Sequence, residues 1–403
     1  MAMKPLKALI SLEEGVHILL SLAKPLERTE AVELLDAVGR VIAEDLMADL
    51  DVPPFPRAAM DGYALRAEET YPAWAFNPVR LALIEVIHAG EVAQATVRPG
   101  TCIQVATGSP VPAGADAVLQ VEETEVEGDE VRVYKSVPPR TNIMPRGQDI
   151  AAGRPILAAG SVMSPSKVGV LAALGRPRVT VYAKPVVAII PSGNEIVAPG
   201  EPLGPGQIYD VNTYTLAALV REHGCTPRLF PIMADTLEAV KGTIKRALDC
   251  DLIVLSGGSS VGERDMMVQA LEEMGEVFFH GIAVKPGKPT LCARVEGRLV
   301  LGMPGYPTSC LTNGYGLLLP VLRVLTRLPE RAQAKVRGRM ARRTNSTIGR
   351  HQYLPVRLNG AEVESVFKES GAITSMADAD GMIEIGANVD LVEKGEEVEV
   401  LLF

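Results

Sequence analysis

The chain has 403 residues, 47% of them hydrophobic, and a formal net charge of −9 at pH 7. That length favours two to four domains over one core, and the acidic balance excludes general nucleic-acid binding, because no basic surplus is there to neutralise phosphates. Five scattered cysteines without a CxxC, five dispersed histidines and no apolar run near the roughly 20 residues that span a bilayer read as a reduced, cytoplasmic protein with no zinc-type cluster and no membrane contact.

In chain order, residues 5–23 read as an amphipathic helix. Leu9, Leu12, Val16 and Leu19 share a face, Ser11 and Glu14 resemble a capping box, and Glu13, Glu14 and His17 rule out a signal peptide. Asp51 to Pro56 is a stiff, proline-rich loop. Residues 79–137 then alternate like strands, with Glu127-Gly128-Asp129-Glu130 as a hairpin turn. This predicts a small β domain inserted into something else. Residues 140–153 form a polar return loop, and Ser164-Pro165 starts a short helix that stops before Gly175.

From about residue 179 the pattern becomes strand–helix–strand. Pro185 to Pro191 is a buried strand opening onto Ser192-Gly193-Asn194-Glu195. Asn212 is expected to cap a helix over Thr213 to His223, and Asp235, with Glu238 as a capping box, one over Thr236 to Leu248. Leu252 to Leu255 is the next strand, and a longer apolar helix starts at Pro307 and runs to Leu325. Alternating strands and helices predict a mostly parallel sheet with helices on both faces, which binds ligands beyond the carboxyl ends of its strands. Past Leu328-Pro329, residues 331–344 are strongly basic, which reads as a solvated linker face. The tail from 350 to 403 alternates like a small β-barrel or sandwich.

Three loops at those strand ends carry the chemistry. Ser256-Gly257-Gly258-Ser259-Ser260-Val261-Gly262 follows a buried strand and precedes a helix. Such a loop lets backbone N–H groups approach an anion, although by itself it is equally a tight connection. No GK[ST] closes it, so it is not a Walker A loop, and it lacks GxGxxG. The Lys285-Pro286-Gly287-Lys288-Pro289 loop is stiffened by its prolines, and no helix face explains its two lysines, which makes them candidates for anion attraction. Pro304, Gly305 and Ser309 belong to a third loop that leads into a helix. Among the carboxylates, Asp235 and Asp265 each have a reading as an N-cap, Asp61-Gly62 reads as a turn, Asp149 lies in a loop, and Glu195 follows a strand-end glycine.

The motifs converge. Met60-Asp61-Gly62-Tyr63-Ala64, Ala106 to Pro112 with Thr107, Gly114 to Val118, Gly147-Gln148-Asp149-Ile150, SGNE at 192–195, Ile208 to Asn212, SGGSSVGERD, KPGKPT and PGYPTS occur in this order. In them, across essentially its whole length, the chain resembles the molybdopterin molybdenumtransferase family, that of MoeA and the gephyrin E domain.

The resemblance implies an elongated homodimer of four-domain subunits. Residues 1–50 with 142–178 would form an N-terminal dimerisation stalk and 51–141 the inserted β domain. Residues 179–329 would form the molybdopterin-binding α/β domain and 330–403 a C-terminal β-barrel-like domain. It implies Mg²⁺-dependent hydrolysis of adenylyl-molybdopterin with insertion of molybdate, giving molybdenum cofactor and AMP. It also implies that the MDGYA loop of one subunit lies near the pterin domain of the other. Asp61, Asp149, Lys285 and Lys288 are then the catalytic candidates. Thr107, Ser192, Gly193, Ser256, Gly257, Gly258, Ser259, Gly262, Pro304, Gly305 and Ser309 would bind the pterin nucleotide, and Glu195, Asp235 and Asp265 the metal, as hard oxygen ligands suited to Mg²⁺.

Three positions depart from the family pattern: Asn194, Tyr306 and Ala58. They leave tungstate as an alternative to molybdate. An adenylyltransferase-like activity and a non-catalytic dimeric scaffold are the other readings, with the molybdopterin adenylyltransferase and apo-molybdoenzymes as partner proteins.

Overall fold

The structure, a computed structural model, describes residues 9–257, 266–330 and 334–403. The chain divides into two compact units, one of residues 31–38 and 42–180, the other of residues 1–30, 39–41 and 181–403. Among the described residues no helix is long and apolar enough to cross a membrane.

The helix expected at the start is α1, Leu12–Leu22. It begins later than the apolar spacing suggested because Ser11 caps it, its hydroxyl accepting from the Glu14 N–H at 3.0 Å. The 31–180 unit holds a six-stranded mixed sheet of β1 (Gly62–Leu65), β2 (Val79–Ile87), β3 (Thr101–Val105), β4 (Ala117–Gln120), β5 (Thr124–Glu127) and β6 (Glu130–Val133), in spatial order β4-β1-β3-β2-β6-β5. The β5–β6 hairpin turns at Gly128, as its sequence predicts. Strand β1 is buried along its whole length. It must start with glycine, because a Cβ on Gly62 would sit 2.0 Å from the Leu119 carbonyl oxygen. Helix α2, Pro165–Ala173, is capped by Ser164 and ends ahead of Gly175.

The 181–403 unit is built on a second six-stranded sheet. Its elements in chain order are β7 (Val186–Pro191), α3 (Asn212–Glu222), β8 (Thr226–Leu229), α4 (Leu237–Ala247), β9 (Leu252–Ser256), α5 (Met266–Met274), β10 (Gly275–His280), β11 (Val284–Lys285), β12 (Leu291–Val295), β13 (Arg298–Met303), α6 (Pro307–Asn313) and α7 (Leu319–Leu325). The strands run β8-β7-β9-β13-β12-β10. The first four are parallel, and β12 and β10 close the far edge antiparallel.

Side chains alternate across each strand. Val187, Ile189, Leu252, Val254 and Leu301 pack with α1, α3 and α7 on one face. Ala188, Ile190, Ile253, Leu255 and Val300 pack with α4 and α5 on the other. Both faces are thus covered, which is why these strands read as unbroken apolar runs.

The tail closes into a barrel of β14 (Lys335–Met340), β15 (His351–Asn359), β16 (Glu362–Ser365), β17 (Gly381–Ile385) and β18 (Glu397–Leu402). The ring is closed by β15 pairing with both β16 and β17. The basic stretch therefore holds the strand β14, with residues 331–333 outside the described residues.

Two expected caps are corrected. Asn212 is the first residue of α3 and not its cap: the Thr213 N–H goes to the Asp210 carboxylate, at 3.1 Å. Thr236, not Asp235, caps α4, its hydroxyl accepting from the Ala239 N–H. In both cases a neighbouring oxygen reaches the free N–H first, which leaves Asn212 and Asp235 available for other contacts.

Before β7 lies an ion pair that anchors the sheet. Asp251, 3% exposed in its side chain, accepts two hydrogen bonds from the half-exposed Arg28 guanidinium, at 2.8 and 2.6 Å, and one from the Val186 N–H, at 2.7 Å. Asp251→Ala leaves the Val186 N–H and the guanidinium without these partners and is expected to cost about 2–3 kcal/mol, read as a lower urea midpoint. Arg28→Ala costs less, because water reaches the vacated oxygens from the arginine side.

Candidate functional site

Strands β7, β9 and β13 are neighbours and parallel, with Pro191 opposite Ser256 and Ser256 opposite Met303. Their carboxyl ends therefore release three loops side by side. The Ser192 N–H donates to the Ser256 carbonyl at 2.8 Å, and the Gly257 N–H to the Met303 carbonyl at 3.3 Å. Gly257 has φ +87°, and a Cβ there would lie 2.2 Å from the Ser192 carbonyl oxygen; a Cβ on Gly305 would sit 3.6 Å from the Gly257 Cα.

Ser192, Gly193, Ser256, Gly257, Pro304 and Gly305 thus belong to one continuous edge. Ser309 follows in α6, 3% exposed. Gly258, Ser259, Gly262 and Asp265 lie outside the described residues.

Asn212, released from capping, donates from Nδ2 to the Gly305 carbonyl at 2.8 Å. Its Oδ1 is buried without a partner among the described residues. Reading it as a cap hid this contact, which crosses 93 positions in sequence.

The same geometry pairs two carboxylates. Ser192 bridges to Met233, whose N–H donates to the Pro191 carbonyl. This brings the segment ending in Asp235 alongside the loop that carries Glu195. The Asp235 carboxyl is held above the ordinary carboxylate range, first by partial desolvation and then by the negative charge of Glu195. Two like charges in this position suit a divalent cation held by oxygen ligands. Among the described residues no group of three metal-ligating side chains converges. A cleft of about 600 Å³ opens beside the pair, lined by Gly193, Asn194, Val197, Pro202 and Met233 among others.

The lysine loop hangs between the sheet and the barrel. Lys285 lies in β11, which pairs in parallel with β15, and its ammonium donates to the neutral Thr347 hydroxyl at 2.8 Å. Lys288 is partly exposed, and its carbonyl accepts from the Ile282 and Thr290 N–H groups, both at 3.0 Å. The barrel also meets the third loop: the Thr308 N–H donates to the Ser370 carbonyl, the Thr308 hydroxyl to the Ala372 carbonyl, and Tyr306, 68% exposed, lies against Gly371. No sequence signal singled out residues 370–372.

Asp61, Thr107 and Asp149 lie in the other unit. Asp61 is exposed at the start of β1, where its Oδ1 accepts from the Thr107 N–H at 2.6 Å and the Thr107 hydroxyl at 3.0 Å. These two bonds hold its carboxyl below the ordinary range. Asp149 lines a cleft of about 730 Å³ with Gly147, Arg154 and Gly169. Its loop is shaped by Asp51, which accepts from Arg146 Nε at 2.6 Å and the Ala152 N–H at 2.8 Å. Ala58, one of the three departures, is buried and exchanges backbone bonds with Gly108 and Ser109. All five cysteines are buried and free. Burial pushes the Cys102, Cys225 and Cys292 thiols up to about 12, so no thiolate nucleophile is available there.

Comparison with known proteins gives three family models that together span most of the chain. The MoeA N-terminal region (domain I and II) matches residues 10–175, the "Probable molybdopterin binding domain" residues 188–324, and the MoeA C-terminal region (domain IV) residues 337–403. Molybdopterin molybdenumtransferase 2 of Mycobacterium tuberculosis is 34% identical over 383 residues, covering 93% of this chain and 95% of its own. The molybdopterin molybdenumtransferase of Nostoc is 34% identical over 329 residues, covering 80% and 76%. Two crystal structures of molybdopterin biosynthesis MoeA proteins from Pyrococcus horikoshii match with TM-scores of 0.85 and 0.82 at 40% and 32% identity. They cover 98% of this chain and 99% and 100% of theirs.

Two measurements check this geometry. Gly257→Ala forces both a left-handed backbone and a backbone clash, and is expected to destabilise the protein by roughly 3 kcal/mol. Gly305→Ala, with ordinary contact space, shifts the urea midpoint little. For Asp61, a lowered folded-state pKa means that its contribution is present above the ordinary value of 3.8 and is lost as pH falls through the folded value. In Thr107→Val, one of the two donors is gone, and a carbon-13 titration of Asp61 moves its midpoint up toward 3.8.

Proposed function

The chain belongs to the MoeA family, and on that premise we propose that it is a molybdopterin molybdenumtransferase. In this reading it hydrolyses adenylyl-molybdopterin and inserts molybdate, releasing AMP and molybdenum cofactor. The observation that carries the reading is the stitched edge of three strand-end loops beside the Glu195–Asp235 pair. Such an edge gathers backbone N–H groups for phosphate oxygens next to carboxylates suited to a hard cation.

In this reading the pterin nucleotide lies along Ser192, Gly193, Ser256, Gly257, Pro304, Gly305 and Ser309, with Gly258, Ser259 and Gly262 completing the central loop. Lys285 and Lys288 attract the oxyanions, molybdate or the terminal phosphate, and offset charge that develops when the phosphoanhydride breaks. Glu195 and Asp235, with Asp265, would hold Mg²⁺. When bound, that ion would supply positive charge to offset that of the phosphates. A water oxygen attacks the AMP phosphorus as its P–O bond to the molybdopterin phosphate breaks, the water's proton leaving to solvent; attack by a molybdate oxygen instead gives an adenylyl-molybdate that water then hydrolyses to AMP and molybdate. Asp61, held in its anionic form by Thr107, and Asp149 are the carboxylates that would orient the attacking oxygen.

The enzyme is read as a cytoplasmic homodimer in which the Asp61 loop of one copy serves the pterin domain of the other, with the four-domain division given above. Sedimentation at micromolar concentration is expected to show a dimer; a monomer contradicts the shared site.

The decisive assay supplies purified protein with adenylyl-molybdopterin and Mg²⁺, and follows AMP release with and without molybdate and tungstate. Molybdate-stimulated release is expected. Lys288→Ala and Asp235→Asn should each reduce the rate about 100-fold, the usual loss when one electrostatic stabiliser is removed. No release under any condition removes the enzymatic reading and leaves the scaffold. Stimulation by tungstate alone identifies the other oxyanion as substrate.

A further inference from the structure

Helix α6 leaves the PGYPTS loop and ends at Asn313, a side chain that neither the sequence motifs nor the caps account for. Asn313 is 1% exposed. Its Nδ2 donates to the Gly287 carbonyl at 2.9 Å and to the Thr290 hydroxyl at 2.8 Å, and the Thr290 hydroxyl donates to the same Gly287 carbonyl at 2.8 Å. Both amide hydrogens are therefore spent on the lysine loop, in a closed triangle. The amide also presses on the loop's backbone. Gly287 has φ +109°, and a Cβ there would lie 2.4 Å from Asn313 Nδ2. Lys288 is the next residue, with its carbonyl already tied to the Ile282 and Thr290 N–H groups. Its backbone is thus gripped from both sides.

The amide is a costly choice for this position. Its Oδ1 is buried without a partner among the described residues, and an unmet buried acceptor is unfavourable. An apolar side chain would avoid that cost, but would leave the Gly287 carbonyl with one donor instead of two and the Thr290 hydroxyl without its donor. The helix is also shaped for the contact. Ser309 and Asn313 are four residues apart and share a face, so one rigid element carries both the third loop and the grip on the lysine loop. Directly after Asn313 the helix widens into a π-turn over Gly314–Leu318, a feature frequent at functional sites. Its glycines admit close neighbours: a Cβ on Gly314 would meet Leu219 at 2.9 Å, and one on Gly316 would meet the Tyr353 hydroxyl at 3.1 Å.

We propose that Asn313 is a positioning residue, whose buried amide sets the Gly287 carbonyl and Thr290 hydroxyl and so aims Lys288 at the bound oxyanion. This rests on the reading of Lys288 given above.

The test is a double-mutant cycle on the full-length protein, with kcat/KM for adenylyl-molybdopterin measured by AMP release in the wild type, Asn313→Ala, Lys288→Ala and the double variant. Asn313→Ala is expected to lower kcat/KM roughly tenfold when Lys288 is present, the effect of about one hydrogen bond. In the Lys288→Ala background it is expected to change it less than about twofold, because nothing is left to aim. Asn313→Ser, which restores one donor, should fall between, and it carries the cycle where the alanine variant does not fold. An equal loss in both backgrounds, or no loss with Lys288 present, overturns the proposal while the role of Lys288 stands. No loss in Lys288→Ala alone overturns that role and the proposal together, and no AMP release by the wild type does the same.

Discussion

The in-register parallel pairing of β7, β9 and β13 is the constraint on which the site depends. Parallel strands end on the same side of a sheet, so three strand-end loops must emerge together, and their backbones come within hydrogen-bonding reach before any side chain is considered. The cost falls on the loops. Gly257 has to adopt a left-handed conformation and has no space for a Cβ, and the Ser192 and Ser256 side chains are buried. The energy that holds this arrangement comes from both faces of the sheet. Fully buried Val, Leu and Ile side chains contribute about 1.5–3 kcal/mol each, which is ample to keep a few strained loop residues in place.

Electrostatics then sorts the groups along that edge. The chain carries a net charge of −9, so an anionic substrate is repelled by the molecule as a whole and needs local compensation. Backbone N–H groups supply part of it without adding net charge. In the proposed reading Lys285 and Lys288 would supply the rest, and the neutral Thr347 hydroxyl that Lys285 touches does not cancel its charge. The Glu195–Asp235 pair works in the opposite direction. The Asp235 carboxyl is raised by partial desolvation and then by the charge of Glu195; in the proposed reading a cation would relieve that repulsion and make an anion easier to hold.

Much of the fold was legible because it depends on period. Continuous apolar runs marked the buried parallel strands, alternation marked the small β sheet and the barrel, and Ser11, Ser164 and Gly128 acted where their chemistry predicts. What stayed hidden depends on competition between near neighbours. Asp210 outcompetes Asn212 for the α3 start, and Thr236 outcompetes Asp235 for α4. A spacing rule cannot decide between two acceptors one or two residues apart, because the backbone angle at the turn decides it. The consequence was informative in both places: Asn212, free of the cap, holds the Gly305 carbonyl, and Asp235 feels the charge of Glu195.

Long-range polar contacts were hidden for a different reason. Asn313 sits inside the helix expected from Pro307 to Leu325, where no motif marks it, and its partners lie 23 and 26 positions earlier. Asn212 reaches across 93 positions. Both are buried amides whose Nδ2 serves a loop carbonyl and whose Oδ1 has no partner among the described residues. Burial of an unmet acceptor is tolerated only where the donor side of the same group secures something the fold needs. The two amides secure the Gly305 and Gly287 carbonyls, one in each of two loops that flank α6. At Gly287 close approach requires glycine, but glycine also loosens the backbone. A buried amide fastened to the glycine carbonyl restores the order that glycine removes, and it does so without placing a charge beside Lys285 and Lys288.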